Sequence, residues 1–408
     1  MTSTSAEQVR WLFLDLDSYF ASCEQQARPD LRGKPVGIVP MMAETTCCLA
    51  ASREAKRQGV KTGTLVAEAR VRCPEITLVV ARHDLYTLYH KIVVEAVGTC
   101  LPIDSILSID EMICELTGSQ RELPKAVALA DQIKTILRQR VGDTLTCSIG
   151  LAPNRFLAKV ASDMNKPNGL TIIRTSDLPQ MLYPLRLQDF PGIGPRMGRR
   201  LEEHGISTVK ELYGLSITKM ADLWGGVLGE RFYRWFRGED VELAETVHRS
   251  LGHQHVLEPE FRTSQGAWMV AKKLLVKAAV RLRKEGYYAR RLALNIHFMG
   301  GSYWGKDTKL EETQDTLVLL GALRRLWAIL PEGTPFRVSV TFFDLIPKNR
   351  HQLSLLVNPA RENLGEAMDR LNTKYGKGTV SVGGLLEQNQ SGAPTRISFS
   401  RVPDLEEF

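Results

Sequence analysis

Apolar positions in the first 170 residues come in short blocks of two periods. Residues 11–14 read Trp-Leu-Phe-Leu and run into Asp15, Leu16 and Asp17, the pattern of a buried strand ending in acids. A short helix follows over 18–26, a strand over 35–39, a helix over 50–58 broken by Gly59 and Gly63, and a strand over 76–80. Apolar residues at 85, 88, 92, 93 and 96 predict an amphipathic helix over 84–98. A strand over 106–109 leads into Asp110 and Glu111, and 112–116 continues beyond them. A long helix is predicted over 123–140, a strand over 144–151, and a helix over 156–164 that ends before Pro167. Strands and helices in alternation predict a mixed α/β domain.

From 182 to 237 the pattern turns helical, with glycine breaks at 192, 194, 205, 225 and 226, which predicts a small all-helical domain. Residues 238–250 are polar and suit a linker. A basic helix over 265–285 precedes a strict alternation over 292–298, and a second alternating strand covers 336–342. Leu292, Leu294, Ile296 and Phe298 are expected to face a core, with Ala293, Asn295 and His297 facing out. Helices on one side of an antiparallel sheet fit this region. The overall fold class is α/β and α+β multidomain.

Length adds that one core is not enough: 408 residues imply two to four domains. Hydrophobic content of 43% and charged content of 24% are those of an ordinary globular protein. No stretch reaches the roughly 18 apolar residues of a membrane helix. The first residues, MTSTSAE, lack a basic region followed by an apolar one, so a cytoplasmic protein without a membrane partner is expected. The seven cysteines are odd in number and form no C-x-x-C pair, which points to reduced thiols.

Net charge is +7 with a pI near 9.0. A polyanionic partner is consistent with that. Lys272, Lys273, Lys277, Arg281, Arg283, Lys284, Arg290 and Arg291 lie within one stretch that holds a single acid, Glu285. Alone, such a run is equally a solvated helix face.

The acids suggest chemistry. Asp15 and Asp17 are two apart at the end of one apolar strand, and Asp110 and Glu111 follow another. Either pair alone is equally a cap or turn. Together, several carboxylates at buried strand ends call for a divalent cation, and hard oxygen donors favour magnesium. Neighbours on a regular strand point to opposite faces, so Asp110 and Glu111 serve one site only where the strand twists or turns.

Four ordered motifs carry a family resemblance. DLDSYFASCE (15–24), SIDE (108–111), CSIGLAPNRFLAKVASDMNKPNG (147–169) and DFPGIG (189–194) resemble, in that order, the signatures of Y-family translesion DNA polymerases. The likeness runs from about residue 10 to about residue 345 and is similar to the bacterial polymerase IV branch. AMDRLNTKYGKGTV (367–380) resembles the C-terminal stretch of the catalytic subunit of polymerase V.

The resemblance implies a right-hand polymerase. Its palm would take residues 1–18 and 86–173, fingers 19–85, a helix–hairpin–helix thumb 174–238, a linker 239–249, a little finger 250–346 and a C-terminal extension 347–408. It implies two Mg2+ ions held by Asp15, Asp110, Glu111 and the carbonyl of Leu16, with the three carboxylates catalytic and Asp17 structural. Phe20 stands at the family's steric gate, beside Tyr19, which is expected to pack inward although it belongs to the same nucleotide-binding motif. Lys166 stands where a lysine meets the triphosphate.

The fingers depart from the family. Its usual Tyr and Arg are replaced by Arg53 and Lys56, which keep positive charge but lose the Tyr hydroxyl and the bidentate fork. Met112 and Ile113 replace its small and aromatic residues. Gly192, Gly194 and Arg196 would bring backbone N–H groups and charge to a DNA phosphate. Lys272, Arg290 and Arg291 would neutralise the duplex. QLSLL, residues 352–356, resembles a clamp-binding peptide, so Gln352, Leu353, Leu355 and Leu356 are expected to meet a bacterial sliding clamp.

The partners implied are primer–template DNA, dNTP, the clamp and other translesion accessory proteins, with the chain a monomer acting in DNA repair and the SOS response. The alternative is a catalytically weak or inactive member of the fold, serving as a DNA- and clamp-binding scaffold.

Overall fold

The computed structural model describes residues 8–44, 46–241, 249–351, 359–376, 378–381 and 402. They form two compact units, one up to residue 241 with Val402 and one over 249–381.

The first unit begins with β1 (Trp11–Leu16), α1 (Tyr19–Ala27), β2 (Val36–Val39), β3 (Ala50–Ala51), α2 (Arg53–Arg57), α3 (Val66–Arg72), β4 (Thr77–Val80) and α4 (His83–Gly98). It continues with β5 (Ser105–Ile106), β6 (Glu111–Glu115), α5 (Leu123–Arg140), β7 (Cys147–Ala152), α6 (Arg155–Met164) and β8 (Leu170–Ile172). Four helices follow: α7 (Pro195–Glu203), α8 (Val209–Tyr213), α9 (Ile217–Trp224) and α10 (Val227–Trp235).

A five-stranded sheet in the order β5-β6-β1-β7-β8 is the frame of this unit. β1 lies at its centre, antiparallel to β6 and to β7. Every residue of β1 is buried because both faces are covered. Leu12, Leu14 and Leu16 join the core that includes α4 and α5. Trp11 and Phe13 join a second core with α6 and the later helices. Alternation thus sends Asp15 to the α6 side.

α6 starts where the Asn154 side chain accepts from the Leu157 N–H at 2.8 Å, an ordinary N-cap. It lies so close to β7 that a Cβ on Gly150 would strike the Ala158 carbonyl oxygen and come within 2.5 Å of the Ser162 nitrogen.

A smaller sheet, β3-β2-β4, packs α2 and α3 around Val39, Cys48, Ala51, Ala55 and Val66. The helix expected over 50–58 begins late. Ala50 and Ala51 pair with Ile38 and Gly37 as a strand, and the Ser52 hydroxyl then caps α2 by accepting from Ala55. The strand expected over 106–109 shrinks to Ser105–Ile106. The Leu107 and Ser108 N–H groups both reach the Glu111 carbonyl, at 3.0 and 3.3 Å, and turn the chain. The strand expected over 144–151 begins only at Cys147.

The second unit contains β9 (Ser250–Val256), α11 (Ser264–Lys284), β10 (Tyr287–Phe298), β11 (Tyr303–Thr313), α12 (Thr316–Trp327), β12 (Pro335–Pro347) and α13 (Pro359–Tyr375). Its sheet runs β11-β10-β12-β9, all antiparallel. Leu292, Leu294, Ile296, Phe298, Val338, Val340 and Phe342 share a core with α11 and α12, as the alternation predicts. Ala293, expected to face out, is also buried.

The basic stretch is not one surface. Lys272 lies on α11, which covers the core face of the sheet, whereas Arg291 falls in register beside Ala293 on the opposite face. Arg283 is buried and bonds Asp369 of α13 at 2.6 and 2.9 Å. Arg290 pairs with Glu312, and Arg291 lies 3.2 Å from Asp344. The residues expected to contact the clamp, Gln352, Leu353, Leu355 and Leu356, lie outside the described residues.

The fit of α6 on β7 is testable. Gly150→Ala should destabilise the protein by about 2 kcal/mol or more, since the helix must move away from the sheet. Thermal unfolding checks it; a melting temperature equal to wild type contradicts this packing.

Candidate active site

Register brings the acids together. Asp15 on β1 lies directly opposite Glu111 on β6, so both side chains project from the same face. One step on, the Leu16 N–H donates to the Asp110 carbonyl at 2.8 Å. Asp110 sits in the turn and Glu111 opens the strand, the geometry that two adjacent acids need to serve one site.

The turn is held from below. The buried His90 ring places Nδ1 2.8 Å from the Ile109 carbonyl. Burial also pushes the His90 pKa down, so the neutral ring donates its Nδ1 proton there. The Ser108 hydroxyl donates to Asp110 Oδ1 at 2.5 Å.

Burial raises the pKa of Asp110; the Ser108 bond opposes this and the Asp15 charge adds to it. Burial likewise raises that of Glu111, against the pull of Lys159. Both shifts have the sign of carboxylates short of compensating positive charge.

Two lysines supply part of that charge. Lys159 of α6 is 19% exposed and places Nζ 2.7 Å from Asp15 Oδ2, 2.8 Å from Glu111 Oε1 and 3.1 Å from Asp163 Oδ2. Lys166 reaches Asp15 Oδ1 at 2.6 Å and Asp163 Oδ1 at 2.7 Å. Burial opposes both charges, but the neighbouring acids outweigh it and hold both ammonium groups above their ordinary pKa.

Asp15, Asp110 and Glu111 offer the hard oxygens a divalent cation takes. Among the described residues no three acidic, histidine or cysteine side chains converge as a finished chelate. The oxygens of Asp15 are instead shared between Lys159 and Lys166. The donor set fits a cation, which would have to compete with those ammonium groups.

Asp17 has a different task. It accepts from Thr146 Oγ1 at 2.6 Å, Ser148 Oγ at 2.8 Å and the Asn168 N–H at 2.8 Å. Its carboxylate is spent tying β1 to β7 and to the loop after α6.

Phe20 is partly exposed and stacks on Tyr86 with centroids 4.4 Å apart. Tyr19 is buried and donates to the Tyr86 carbonyl at 2.7 Å, so its hydroxyl is turned inward. Beneath them the fully buried Glu24 accepts from Tyr86 at 2.9 Å and from Arg82 at 3.0 Å.

Arg53 is turned onto the strand edge, donating to Thr146 and standing 3.6 Å from Asp17. Lys56 is exposed. Partial burial, then the Lys166 charge, lowers its pKa. Arg53, Lys56, Lys159 and Lys166 thus form a cationic rim on the acidic centre.

Farther along, Gly192 takes φ +88°, a turn that favours glycine, and Gly194 caps α7. Gly192, Gly194 and Arg196 are all exposed. Asp189 is occupied locally, bonding the Arg186 N–H at 2.9 Å.

Sequence reasoning missed Lys159, Asp163, His90 and the Glu24–Arg82–Tyr86 group. For Lys159 the signal was its i, i+4 spacing to Asp163 on a helix adjoining the acids.

Comparison with known proteins gives this geometry a family. Residues 14–163 match the impB/mucB/samB family, and 248–355 match that family's C-terminal domain. Residues 188–240 match the thumb domain described for DNA polymerase iota.

DNA polymerase IV of Moorella thermoacetica is 33% identical over 380 residues, covering 90% of this chain and 94% of that protein. DNA polymerase IV 1 of Bacillus subtilis is 29% identical over 395 residues, covering 93% of each. Among solved structures, a chimeric Y-family DNA polymerase superposes with a TM-score of 0.70 at 22% identity, over 83% of this chain and 99% of that one. An insertion ternary complex of Dbh DNA polymerase gives 0.56 at 24% identity, over 83% and 99%; both show the shared fold. With the ordered motifs, the acids in register and relatives aligned along nearly the whole length, the chain belongs to the Y family of DNA polymerases.

Proposed function

We propose that this chain is a template-directed DNA polymerase of translesion synthesis. It would transfer a nucleotide from dNTP to a primer 3′-hydroxyl with release of pyrophosphate, using Asp15, Asp110 and Glu111 and two magnesium ions. The observation that carries the reading is the cross-strand pairing of Asp15 with Glu111, with Asp110 in the turn beside them. Family membership implies a divalent-cation cofactor; the number and the choice of magnesium are our reading of the three carboxylates.

When bound, such cations acidify the attacking hydroxyl and offset charge on the triphosphate. The protein's own part is positioning. Asp15, Asp110, Glu111 and the Leu16 carbonyl would hold the cations. Lys166, Lys56 and Arg53 form the positive rim for the triphosphate, with Arg53 exchanging its bonds to Asp17 and Thr146 for phosphate oxygens. Phe20, braced by Tyr86, would crowd a ribose 2′-hydroxyl.

The domain limits read from the sequence support this division. The β3-β2-β4 sheet falls inside the proposed fingers, and the five-stranded sheet, β1 included, inside the proposed palm. Gly192, Gly194 and Arg196 would meet the DNA backbone in the thumb. Arg291 and the open face of the second unit's sheet suit the duplex; Lys272, on the other side of that sheet, would contact DNA only separately. A scaffold without catalysis needs no such convergence of acids and lysines. Among the described residues no helix is long and apolar enough to cross a membrane, and a cytoplasmic monomer is our reading.

Primer extension with magnesium and four dNTPs tests the proposal. Wild type should extend and Asp110→Ala-Glu111→Ala should not; equal extension by the double variant, or none by folded wild type with and without a clamp, rejects it. Phe20→Ala should raise ribonucleotide incorporation roughly tenfold or more relative to dNTP, read from single-nucleotide kinetics; unchanged sugar discrimination removes Phe20 from the gate. Replacing Gln352, Leu353 and Leu355 with Ala should abolish capture by a bacterial sliding clamp in pull-down and leave clamp-free extension intact. Retained capture would place the clamp contact elsewhere.

A further inference from the structure

Lys159 stands in an unusual position for a residue near a cation site. Its ammonium lies between Asp15 and Glu111, at 2.7 and 2.8 Å, and so bridges two of the three acids that the proposed reading gives to the cations. Lys166 differs in this respect: it reaches Asp15 and Asp163.

The backbone under Lys159 has little freedom. It follows Ala158, whose carbonyl abuts Gly150 of β7, and its Nζ lies 5.1 Å from the centre of the Phe13 ring. The side chain can leave the acids only by rotating. Asp163, one helical turn on and already 3.1 Å away, is a ready second partner.

We infer that Lys159 is a positioning residue that acts as the built-in counterion of the carboxylate centre, holding Asp15 and Glu111 together and competing with divalent cations for their oxygens. The inference rests on the reading of Asp15, Asp110 and Glu111 as the cation site. On cation binding Lys159 swings to Asp163 or to phosphate oxygens of the incoming nucleotide. Cation and triphosphate therefore favour each other's binding, because each gives the displaced charges a new partner.

The measurement is Mn2+ affinity of the full chain without DNA or nucleotide, by electron paramagnetic resonance of free Mn2+. Lys159→Met should bind Mn2+ roughly tenfold tighter or more, since a unit charge next to the site is removed. Its melting temperature should rise more on adding Mg2+ than that of wild type. Lys159→Arg should restore the weaker wild-type affinity. Asp163→Asn should weaken Mn2+ binding, because Lys159 then loses its alternative partner; this variant and Lys159→Gln serve if Lys159→Met does not fold.

A residue of purely structural role would lower the melting temperature without tightening Mn2+ binding. Unchanged or weaker affinity in Lys159→Met or Lys159→Gln, with binding abolished in Asp110→Ala-Glu111→Ala, overturns the counterion role and leaves the cation site standing. Mn2+ bound equally well by Asp110→Ala-Glu111→Ala removes the site itself, and the inference with it.

Discussion

Negative charge at the ends of buried strands is the constraint that organises this molecule. Asp15 terminates a strand covered on both faces, and Glu111 and Asp110 are brought against it by antiparallel pairing. Desolvated carboxylates in one place repel one another and lack water, which is why burial lifts the pKa of Asp110 and Glu111. The centre persists because positive charge is delivered to it, by Lys159 on α6 and Lys166 just after that helix. A site short of positive charge, rimmed by lysine and arginine side chains, suits a reaction in which divalent ions and a polyanionic triphosphate arrive together.

The surrounding fold is arranged to deliver those groups. Close contact of α6 with Gly150 sets the height of Lys159 above the sheet. Asp17 fastens β1, β7 and the loop holding Lys166 with three hydrogen bonds. His90 and Ser108 hold the turn that carries Asp110. Under Phe20, the buried Glu24 joins the buried Tyr86 to Arg82, which is exposed. The replacement of the family's usual Tyr and Arg by Arg53 and Lys56 adds charge where the small sheet's helix α2 approaches the acids. Arg53 already spends that charge on Asp17 and Thr146.

Much of this was legible in the chain. The apolar run before Asp15, the alternation from Leu292 to Phe298 and the long amphipathic helices were read from period alone. The motif around 147–169 placed Lys166. What escaped depends on tertiary partners. Residues 106–109 look like a strand by composition, but hydrogen bonds to Glu111 turn them, and only that turn lets Asp110 and Glu111 serve one site. The strands Ser250–Val256 and Tyr303–Thr313 are the outer two of their sheet, and edge strands carry polar residues on both faces that hide the alternation. Lys272, Arg290 and Arg291 were all expected to neutralise the duplex, because sequence cannot show that the chain turns at Gly286 and sends Lys272 and Arg291 to different sides of the sheet. Lys159 lies within the motif over 147–169 but carries no role there, since its meaning lies in distances to acids 144 and 48 positions away along the chain.

In the proposed reaction, cations meet substrate at these three carboxylates. Anomalous scattering from crystals of the wild-type protein with primer–template, a non-hydrolysable dNTP and Mn2+ tests it most directly. Metal peaks are expected about 2 Å from oxygens of Asp15, Asp110 and Glu111, next to the triphosphate and the primer end, with Lys159 turned away from Glu111. Metal bound elsewhere, with the lysine bridge to Asp15 and Glu111 intact while nucleotide is seated, would contradict it.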